Sequence, residues 1–566
     1  MIRTQIVLNN QNIQFEGIQQ NWEHPLGKFS LHKRPIESGY ILSLDVKPSR
    51  SLQFQEVICT IPVALEESDQ IFCNGFQSWS ESRTFQQSEY IPNLKWFAKP
   101  FMKNYGDYHF KQIKRKKGFL HSWTYTYTTK KNQELFFVGS LSEKKAFTLF
   151  QWNIKKKELQ IHIDVAERQI ETPIEIFSLW IAEGEEHQLF DTWGQLQGIS
   201  LPPQATVTGW TSWYNFYTDI NEEKLLNALQ QLQATFPSAH YFQIDDGYQK
   251  AVGDWWRIDT KKFPNGLVNL QKQIKDNDYQ AGIWLAPFIC EPKSDLYQNQ
   301  SDWLLKDKKG KFVKAGYAPH WSGHFYAIDF YQEAFQEYLA KVLHFFTEEM
   351  GFKLLKLDFI YAVCLLPRKD KSRAEILVDA IQFIKTHAPK AKLLACGAPL
   401  GPLFGLVDYC RIGADIHLKW EHLLLKFFRN RERVSTAAAL TSILARHHLN
   451  NRFFRNDPDV FILRSDNHQL TFQQQSTILK LATLSGNLVF NSDEMSKYSP
   501  ESKILFEWFL RWKDSYIKSV RTIEKDFYHI EFEHEQQSFD AYANLTSQYK
   551  KLPKYSKIAP YETIVY

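Results

Sequence analysis

The stretch Phe352-Lys353-Leu354-Leu355-Lys356-Leu357-Asp358-Phe359 decides how this chain is interpreted, because an apolar run ends there in a carboxylate. The stretch Leu406-Val407-Asp408-Tyr409-Cys410-Arg411-Ile412-Gly413-Ala414-Asp415 repeats that layout. In a parallel β/α barrel, carboxylates that follow buried strands lie on one rim, where the active site is built. Two carboxylates on one rim are the groups that cleavage of a glycosidic bond requires. The interpretation therefore depends on whether both strands belong to one barrel.

From about residue 206 onwards, short apolar runs alternate with helix-like stretches, which is typical of βα units and a parallel sheet. We expect about eight strands, the number that closes a TIM barrel. The segment between Cys396 and Leu406 is too short for a normal helix, and the third unit is long enough for an elaborated loop. The strands are predicted to begin at Val207, His240, Ala281, Phe352, Lys392, Leu406, Val460 and Asn487. Helices are predicted over 221–234, 331–350, 374–387, 435–447 and 503–516.

The rest of the chain is predicted to be mostly β. Strand-like segments recur at short spacing before residue 203, and Leu159 to Val165 alternates apolar and polar residues, which indicates a sandwich. Alternating sequence also follows the last predicted helix. We therefore predict a multidomain α/β and β protein: an N-terminal β-sandwich over 1–203, a central (β/α)8 barrel over 204–495 and a small C-terminal β domain over 496–566.

Composition narrows the possible partners. The chain has 566 residues and a net charge of +5, which is weak for its length and argues against nucleic acid. No apolar run is long enough to span a bilayer, and the first residues lack the layout of a signal peptide. The cysteines show no C-x-x-C pair, so free thiols in a reducing compartment are expected. These features predict a cytoplasmic protein without a membrane partner.

The sequence also lacks the common cofactor signals. No G-x-G-x-x-G fingerprint follows a predicted strand, and there is no Walker loop, so no nucleotide cofactor is expected. The adjacent pair His447 and His448 lies near a predicted helix end, and neighbours on a helix do not share a ligand face. We therefore interpret that pair as structural and predict no metal site.

Polar residues at the predicted strand ends are the candidates for chemistry. Lys356 and Asp358 are two apart on a strand, so they share a face, and that face is the barrel interior. An isolated pair of this kind favours a structural ion pair, but the neighbouring carboxylates favour a functional role. Asp245-Asp246-Gly247 fits either a turn or the binding of sugar hydroxyls. Arg411 either neutralises Asp415 or donates to a substrate hydroxyl, and both roles are compatible.

A set of motifs along the chain resembles the α-galactosidases of glycoside hydrolase family 36, the melibiases, and in particular their compact subgroup. Their order and rough spacing agree from about residue 70 to 495. One departure is the segment Ala318-Pro319-His320-Trp321, where relatives can carry an arginine. The motifs are Gly-Trp-x-Ser-Trp-Tyr (209–214), Phe-Gln-Ile-Asp-Asp (242–246), Gly-Ile-Trp-x-Ala-Pro-Phe (282–288), Lys-Leu-Asp-Phe (356–359), Cys-Gly-Ala-Pro-Leu (396–400), Arg-Ile-Gly-x-Asp (411–415) and Asn-Asp-Pro-Asp (456–459).

The resemblance implies a role for each matching residue. It implies that Asp358 is the nucleophile and Asp415 the acid/base of a retaining glycosidase. Gln77-Ser78-Trp79 resembles a loop of the family's N-terminal β domain that reaches the barrel mouth, so Trp79 is a further candidate. The residues implied to line or border the galactose pocket are Asp245, Asp246, Lys356, Arg411, Trp284, Cys396, Trp213 and Tyr214.

The expected function is hydrolysis of terminal α-linked galactose from oligosaccharides of the melibiose and raffinose type, in carbohydrate metabolism. No cofactor is implied. Three alternatives stay open: an α-galactosyl transglycosylase of the raffinose synthase kind, an α-N-acetylgalactosaminidase, and a non-catalytic sugar-binding protein. The last of these predicts the loss of one carboxylate, whereas Asp358 and Asp415 are both present.

Overall fold

The computed structural model describes residues 2–18, 21–130, 134–368, 370–552 and 557–566. Along the chain, two antiparallel sheets come first, a closed parallel barrel follows, and a four-stranded antiparallel sheet comes last. This order confirms the predicted fold class. The domain boundaries at residues 203 and 495 stay predictions. Among the described residues, no helix combines the length and the apolar character needed to cross a membrane.

The N-terminal part is a sandwich of two sheets. One has the order β2-β1-β6-β13-β12-β9 with β14 beside β6, and the other the order β3-β4-β5-β15-β11-β10-β7-β8. The predicted alternation is seen in β13, where Leu159, Ile161 and Ile163 are buried in the core between the sheets. The elements are β1 (Arg3–Leu8), β2 (Gln11–Glu16), β3 (Trp22–His24), β4 (Gly27–Ile36), β5 (Gly39–Pro48), β6 (Leu52–Pro62), β7 (Gln70–Cys73), β8 (Arg83–Phe85), α1 (Lys99–Met102), β9 (Phe119–Trp123), β10 (Tyr125–Thr129), β11 (Leu135–Ser140), β12 (Thr148–Asn153), β13 (Glu158–Ile163), β14 (Gln169–Ile170), β15 (Ile174–Gly184) and α2 (Glu186–Leu196).

The barrel strands are short and buried, as parallel strands covered by helices on the outside must be. Helix α8 begins at a capping box of Ser372 and Glu375, and α11 at one of Thr471 and Gln474. The elements are β16 (Val207–Thr211), α3 (Trp213–Phe216), α4 (Glu222–Thr235), β17 (Tyr241–Ile244), α5 (Val268–Asp276), β18 (Gln280–Leu285), β19 (Ile289–Cys290), α6 (Asp295–Asn299), β20 (Lys314–Ala318), β21 (Gly323–Ala327), α7 (Glu333–His344), β22 (Leu354–Leu357), α8 (Arg373–His387), β23 (Lys392–Ala395), β24 (Tyr409–Arg411), α9 (Leu423–Phe427), α10 (Thr436–Ala445), β25 (Arg455–Asp457), β26 (Val460–Phe461), α11 (Phe472–Ser485) and β27 (Leu488–Asn491).

The barrel is closed by a strand that is broken in the middle. The sheet order is β25-β24-β23-β22-β18-β17-β16-β27-β26, so its two ends, β25 and β26, are consecutive in the chain. Pro458 and Asp459 separate them, and Asp459 has a φ of +79°. A proline has no N–H for the sheet, so the ladder is interrupted there. The two halves pair with β24 on one side and β27 on the other, and together they act as the seventh strand of an eight-stranded barrel.

The predicted strand starts lie within a few residues of observed ones. A strand begins at Val460 as expected, but it is only the second half of the seventh strand, and the first half, which starts at Arg455, was missed. The short segment after Cys396 contains a 3-10 turn, Gly401–Leu403, in place of a helix. The long third unit carries the small sheet β19-β21-β20, as the expected elaborated loop.

The C-terminal part follows a helix that packs against the barrel. The element α12 contacts α11, and β31 contacts the same helix, where Lys480 Nζ donates to the backbone oxygen of Thr563 over 2.7 Å. The predicted helix over 503–516 is therefore present but begins and ends earlier. The elements are α12 (Pro500–Trp512), β28 (Tyr516–Glu524), β29 (Phe527–His534), β30 (Gln537–Asn544) and β31 (Thr563–Val565).

Candidate active site

Asp358 is held at the rim by donors to both of its oxygens. It follows β22, and Trp284 in the neighbouring strand β18 donates from Nε1 to Oδ2 over 3.0 Å. The backbone N–H of Phe359 donates to Oδ1 over 2.9 Å, with Phe359 in the left-handed region at φ +52°. Burial raises the pKa of Asp358 to about 6, and the charge of Lys356 opposes that rise. The carboxylate is therefore oriented, and it stays ionised at neutral pH.

Lys356 and Asp245 form a buried ion pair inside the barrel. Lys356 Nζ lies 2.8 Å from Asp245 Oδ2, and Gln243 Nε2 donates to the same oxygen over 2.7 Å. Burial alone would lower the pKa of Lys356, but the carboxylate of Asp245 outweighs it and the net shift is upward. The ion pair considered from the sequence was Lys356 with Asp358, whereas the structure pairs Lys356 with Asp245. Lys356 also stays charged beside Asp358.

Asp246 lies next to this pair and is bound by two side chains. Trp321 donates from Nε1 to Oδ2 over 2.9 Å, and Gln249 donates from Nε2 to Oδ1 over 2.6 Å. Burial raises the pKa of Asp246 to about 6. Gly247 follows with a φ of +117°, so the predicted turn is also present. The turn and a pocket-facing acid network are therefore compatible in the Asp245-Asp246-Gly247 segment.

Arg411 is shared by three carboxylates. From β24 its Nη1 donates to Asp415 Oδ1 over 2.9 Å and its Nε to Asp457 Oδ2 over 2.8 Å, while Nη2 lies 2.9 Å from Asp459 Oδ1. The side chain of Asp415 is 30% exposed, whereas those of Asp457 and Asp459 are buried. Asp415 is thus the carboxylate of this group that solvent and a ligand can reach.

Tyr214 is joined to the Arg411 network by a hydrogen bond to Asp459. It is buried, its hydroxyl donates to Asp459, and its N–H donates to Ser492 Oγ over 2.9 Å. Burial raises the pKa of Asp459 to about 7, despite the nearby charge of Arg411. Trp213, which immediately precedes Tyr214 in the chain, is half-buried against Tyr217 and His320 at the rim. The structure therefore separates two neighbours that the sequence grouped together.

Cys396 follows β23 and is buried, and its thiol is free like those of the other cysteines. Burial raises the pKa of this thiol well above its ordinary value, with Arg411 and Asp358 among the charges it senses. The thiol is therefore uncharged, and it contributes a small neutral surface among charged side chains. This fits a lining role and not a nucleophilic one.

Trp79 comes from the N-terminal sandwich and lies against the residues that follow Asp358 and Cys396. Its ring is 5.1 Å from that of Phe359, and a Cβ on Gly397 would be 2.8 Å from its Cη2. The backbone of Ser78 donates to the oxygen of Ala398 over 2.9 Å, which fixes the loop on the barrel. Within the described part of the chain, Trp79 Nε1 is buried and has no hydrogen-bond partner. It is therefore a buried donor whose hydrogen-bonding capacity is unused.

Arg446 fastens that loop to the strand that carries Arg411. The side chain is fully buried, and its Nη1 donates to the backbone oxygens of Ser78 over 2.6 Å and of Ile412 over 2.8 Å. Its Nη2 donates to the oxygens of Gln77 and Ser80 over 3.1 and 3.2 Å. These backbone oxygens stabilise the buried positive charge of Arg446. The same hydrogen bonds fix the distance between the loop that carries Trp79 and the strand that carries Arg411.

Comparison with known proteins agrees with this geometry. A melibiase family model matches residues 208–375. An α-galactosidase from Thermus thermophilus, solved with p-nitrophenyl α-D-galactopyranoside, superposes with a TM-score of 0.72 at 25% identity, over 92% of this chain and 98% of that one. Residues 208–375 thus match the melibiases, and the chain as a whole is similar to a solved α-galactosidase. The predicted resemblance to α-galactosidases and the barrel fold are therefore confirmed, and both are those of glycoside hydrolases.

Other relatives match over shorter or more distant stretches. α-Galactosidase AgaA of Geobacillus stearothermophilus is 34% identical over 101 residues, which is 17% of this chain and only 13% of that protein. The crystal structure of AgaA superposes with a TM-score of 0.63 at 13% identity, over 93% of this chain and 75% of that one, and shows the fold alone. The similarity to the Thermus structure thus extends over most of both chains.

Sequence reasoning missed several residues of the candidate site. Trp321 lies in the segment that was noted only for its missing arginine, and it contacts Phe359 as well as Asp246. Asp457 and Asp459 were inside a quoted motif, which was a usable signal. Arg446 had no signal, because its partners are backbone oxygens and the distant side chain of Asn74. The roles of the predicted residues stay predictions, although the structure brings Asp358, Asp415 and their neighbours to one rim.

Proposed function

We propose that the protein is a retaining α-galactosidase that removes terminal α-linked galactose from oligosaccharides of the melibiose and raffinose type. The observation that carries the proposal is the contrast between two carboxylates on one rim. Asp358 is immobilised by two donors beside a buried lysine, and Asp415 is partly exposed and bound by one arginine. A solved relative supports the substrate class, since the Thermus α-galactosidase was solved in complex with stachyose.

In the first step, Asp358 attacks the anomeric carbon and the bond to the leaving oxygen breaks. Asp415 gives that oxygen its proton. The charge of Lys356 and the hydrogen bond from Trp284 favour the ionised nucleophile. The sugar is then bound covalently to Asp358.

In the second step, Asp415 is ionised and accepts a proton from water, which attacks the same carbon. Asp358 is released and the galactose leaves with its original anomeric configuration. The exposure of the Asp415 side chain gives water the access that this step requires. A retaining site of this kind needs its carboxyl groups about 5–5.5 Å apart, against about 6.5–9.5 Å for inversion.

The hydroxyls of galactose would be bound by the surrounding groups. The carboxylate of Asp246 would accept hydrogen bonds from sugar hydroxyls, as it does from Trp321. Lys356 retains two N–H groups beyond its bond to Asp245, and Trp79 has an indole N–H without a partner among the described residues. Cys396 and Trp284 would form the wall beside the ring. The N-terminal sandwich is therefore part of the proposed site through Trp79.

The test is a panel of nitrophenyl glycosides, followed by NMR of the first-formed product. Activity is expected with the α-galactoside, with α-galactose released first. Release of β-galactose first would contradict retention. Activity only with the N-acetylgalactosaminide would replace the proposed substrate, and transfer to excess sucrose in place of hydrolysis would identify a transglycosylase.

The nucleophile is tested by Asp358→Gly with azide and an aryl α-galactoside. Azide should attack the vacated face and yield a β-galactosyl azide, because the side chain that normally occupies that face is removed. Asp457→Gly is the matched control, since it removes a carboxylate of the same rim. If Asp358→Gly yields no azide adduct while the wild type is active, Asp358 is not the nucleophile.

A further inference from the structure

Three side chains of metal-ligand type meet between the N-terminal sandwich and the barrel, away from the proposed catalytic rim. They are Glu186 at the start of α2 and the pair His447 and His448. Glu186 Oε1 lies 2.8 Å from His447 Nε2 and 3.4 Å from His448 Nδ1. The three ligand atoms all lie within 4.8 Å of one another.

The local backbone explains how two neighbouring histidines reach one point. Helix α10 ends at Ala445, and a 3-10 turn, His447–Leu449, follows it. The two rings lie 5.1 Å apart, and both face Glu186. The prediction that this pair cannot share a ligand face was wrong, because it assumed that the α-helix continues through both residues.

Hydrogen bonds on the far side of each ring orient the histidines. His447 Nδ1 lies 2.8 Å from the backbone oxygen of Leu444, and since that oxygen only accepts, Nδ1 carries the proton. Nε2 of His447 therefore presents a lone pair towards Glu186. His448 Nε2 lies 2.8 Å from the hydroxyl of Tyr125, which leaves Nδ1 facing the same point. Such outer hydrogen bonds are what fixes histidine ligands around metals.

The converging atoms lack ordinary partners. In the described residues, Glu186 Oε1, His447 Nε2 and His448 Nδ1 are buried and make no hydrogen bond. The Glu186–His447 contact is short enough for an ion pair, but it lacks hydrogen-bond geometry and leaves His448 Nδ1 unpaired. Buried polar atoms without partners are rare, and a cation among these three would satisfy all of them.

We propose that Glu186, His447 and His448 bind one divalent transition-metal ion of the zinc class and thereby join α2 to the barrel. Two imidazoles and a carboxylate suit such an ion. Bonds of about 2.0–2.2 Å in a tetrahedral site place ligand atoms about 3.3–3.6 Å apart. The 3.4 Å distance between Glu186 and His448 lies in that range, and the 2.8 Å distance between Glu186 and His447 is shorter, so these two atoms must move apart slightly to admit the ion.

The surroundings suit a structural ion site. The ring of Phe190, one helical turn after Glu186, stacks on His448 at 3.8 Å, and Phe72 and Tyr127 complete an apolar shell. Glu186 and Tyr127 also line a cavity of about 680 Å³ between the sandwich and the C-terminal sheet. That cavity gives an ion a path to the ligands.

The experiment is a zinc titration of tag-free full-length protein, stripped with a chelator, in competition with a chromophoric chelator. A His529→Gln background removes a second, more exposed cluster of His529, Glu531 and Asp540. We expect one equivalent of Zn²⁺ to bind and to raise the Tm, because the ion binds the folded state. Glu186→Gln and His448→Gln should each weaken binding by at least about 100-fold, more than loss of an outer hydrogen bond costs.

His187→Gln is the matched control, because His187 is on the same helix but its side chain is 53% exposed. It should bind zinc like the background protein. If Glu186→Gln or His448→Gln fails to fold, the background protein is loaded with Co²⁺, and visible bands of four-coordinate cobalt are expected. Absence of zinc binding, absence of those bands, or unchanged affinity in folded Glu186→Gln and His448→Gln overturns the proposal.

Discussion

The indole of Trp284 donates a 3.0 Å hydrogen bond to the carboxylate of Asp358 across two neighbouring barrel strands. Burial raises the pKa of Asp358 to about 6, and this hydrogen bond opposes the rise. A nucleophile must be ionised, so kcat/KM for a nitrophenyl α-galactoside should fall as the pH drops through about 6. Trp284→Phe removes a donor to the charged form, so the acid limb should move to higher pH.

Trp255→Phe is the control for that pH profile. The ring of Trp255 packs edge-on against Trp284 at 5.6 Å, but among described residues its indole nitrogen has no hydrogen-bond partner. The variant changes the packing around Trp284 without removing a bond to Asp358. An acid limb that shifts equally in both variants, or in neither, would show that the Trp284 bond does not set this pKa.

Asp415→Asn should affect substrates according to their leaving groups. The variant cannot donate a proton, so kcat/KM for raffinose should fall by about 10²–10⁴-fold. A dinitrophenyl α-galactoside needs little protonation of its leaving oxygen. For this substrate, the rate of the glycosylation step should therefore fall much less in Asp415→Asn. Asp457→Asn, which also removes a carboxylate from Arg411, should lower the activity on both substrates by a similar factor. Equal losses for both substrates in Asp415→Asn would argue against its role as the acid.

Trp321→Phe should weaken substrate binding through Asp246. The variant keeps an aromatic ring but removes the 2.9 Å hydrogen bond to Oδ2, while Gln249 still holds the other oxygen. A lost hydrogen bond to a buried charged group costs about 1–3 kcal/mol, which corresponds to about 5- to 150-fold in kcat/KM. Steady-state kinetics measure this fall in kcat/KM. Trp256→Phe is the control, because Trp256 is exposed. Unchanged kinetics would remove Trp321 from the site.

Gly397→Ala should displace Trp79. Gly397 has a φ of +56°, and an added Cβ would be 2.8 Å from the indole. Gly266→Ala is the control, because its φ is +64° and nothing lies within 4 Å. Both variants should lose about 1 kcal/mol of stability to backbone strain, seen as a lower Tm. Gly397→Ala alone should also lose activity, and equal activity in both would show that Trp79 does not contribute.

Much of the barrel was predictable because parallel strands buried on both faces leave continuous apolar runs in the sequence. Leu393 to Ala395 is such a run, and Leu354 to Leu357 is one interrupted only by Lys356; the carboxylate of Asp358 follows the latter. The seventh strand was predicted to start late, because Pro458 reads as a strand boundary. Here the proline interrupts a strand that had already begun at Arg455.

The partnerships within the site were less accessible to sequence reasoning. Trp321 and Asp246 are far apart in the chain and belong to different loops, so no periodicity relates them. The meeting of His447 and His448 at Glu186 depends on a change from α-helix to a 3-10 turn, which propensity does not resolve at single-residue precision. Residue types were therefore visible in the sequence, whereas their pairings required the fold.

The contacts of Arg446 also set the order in which this protein can become active. They join residues 366 to 369 positions apart in the chain, from the Gln77 to Ser80 loop to the end of α10. During synthesis the sandwich emerges first, and its loop cannot bind Arg446 until most of the barrel has been synthesised. Contacts of such long separation form slowly. Trp79 therefore reaches its place last, and the pocket matures only when the two ends of the fold have met.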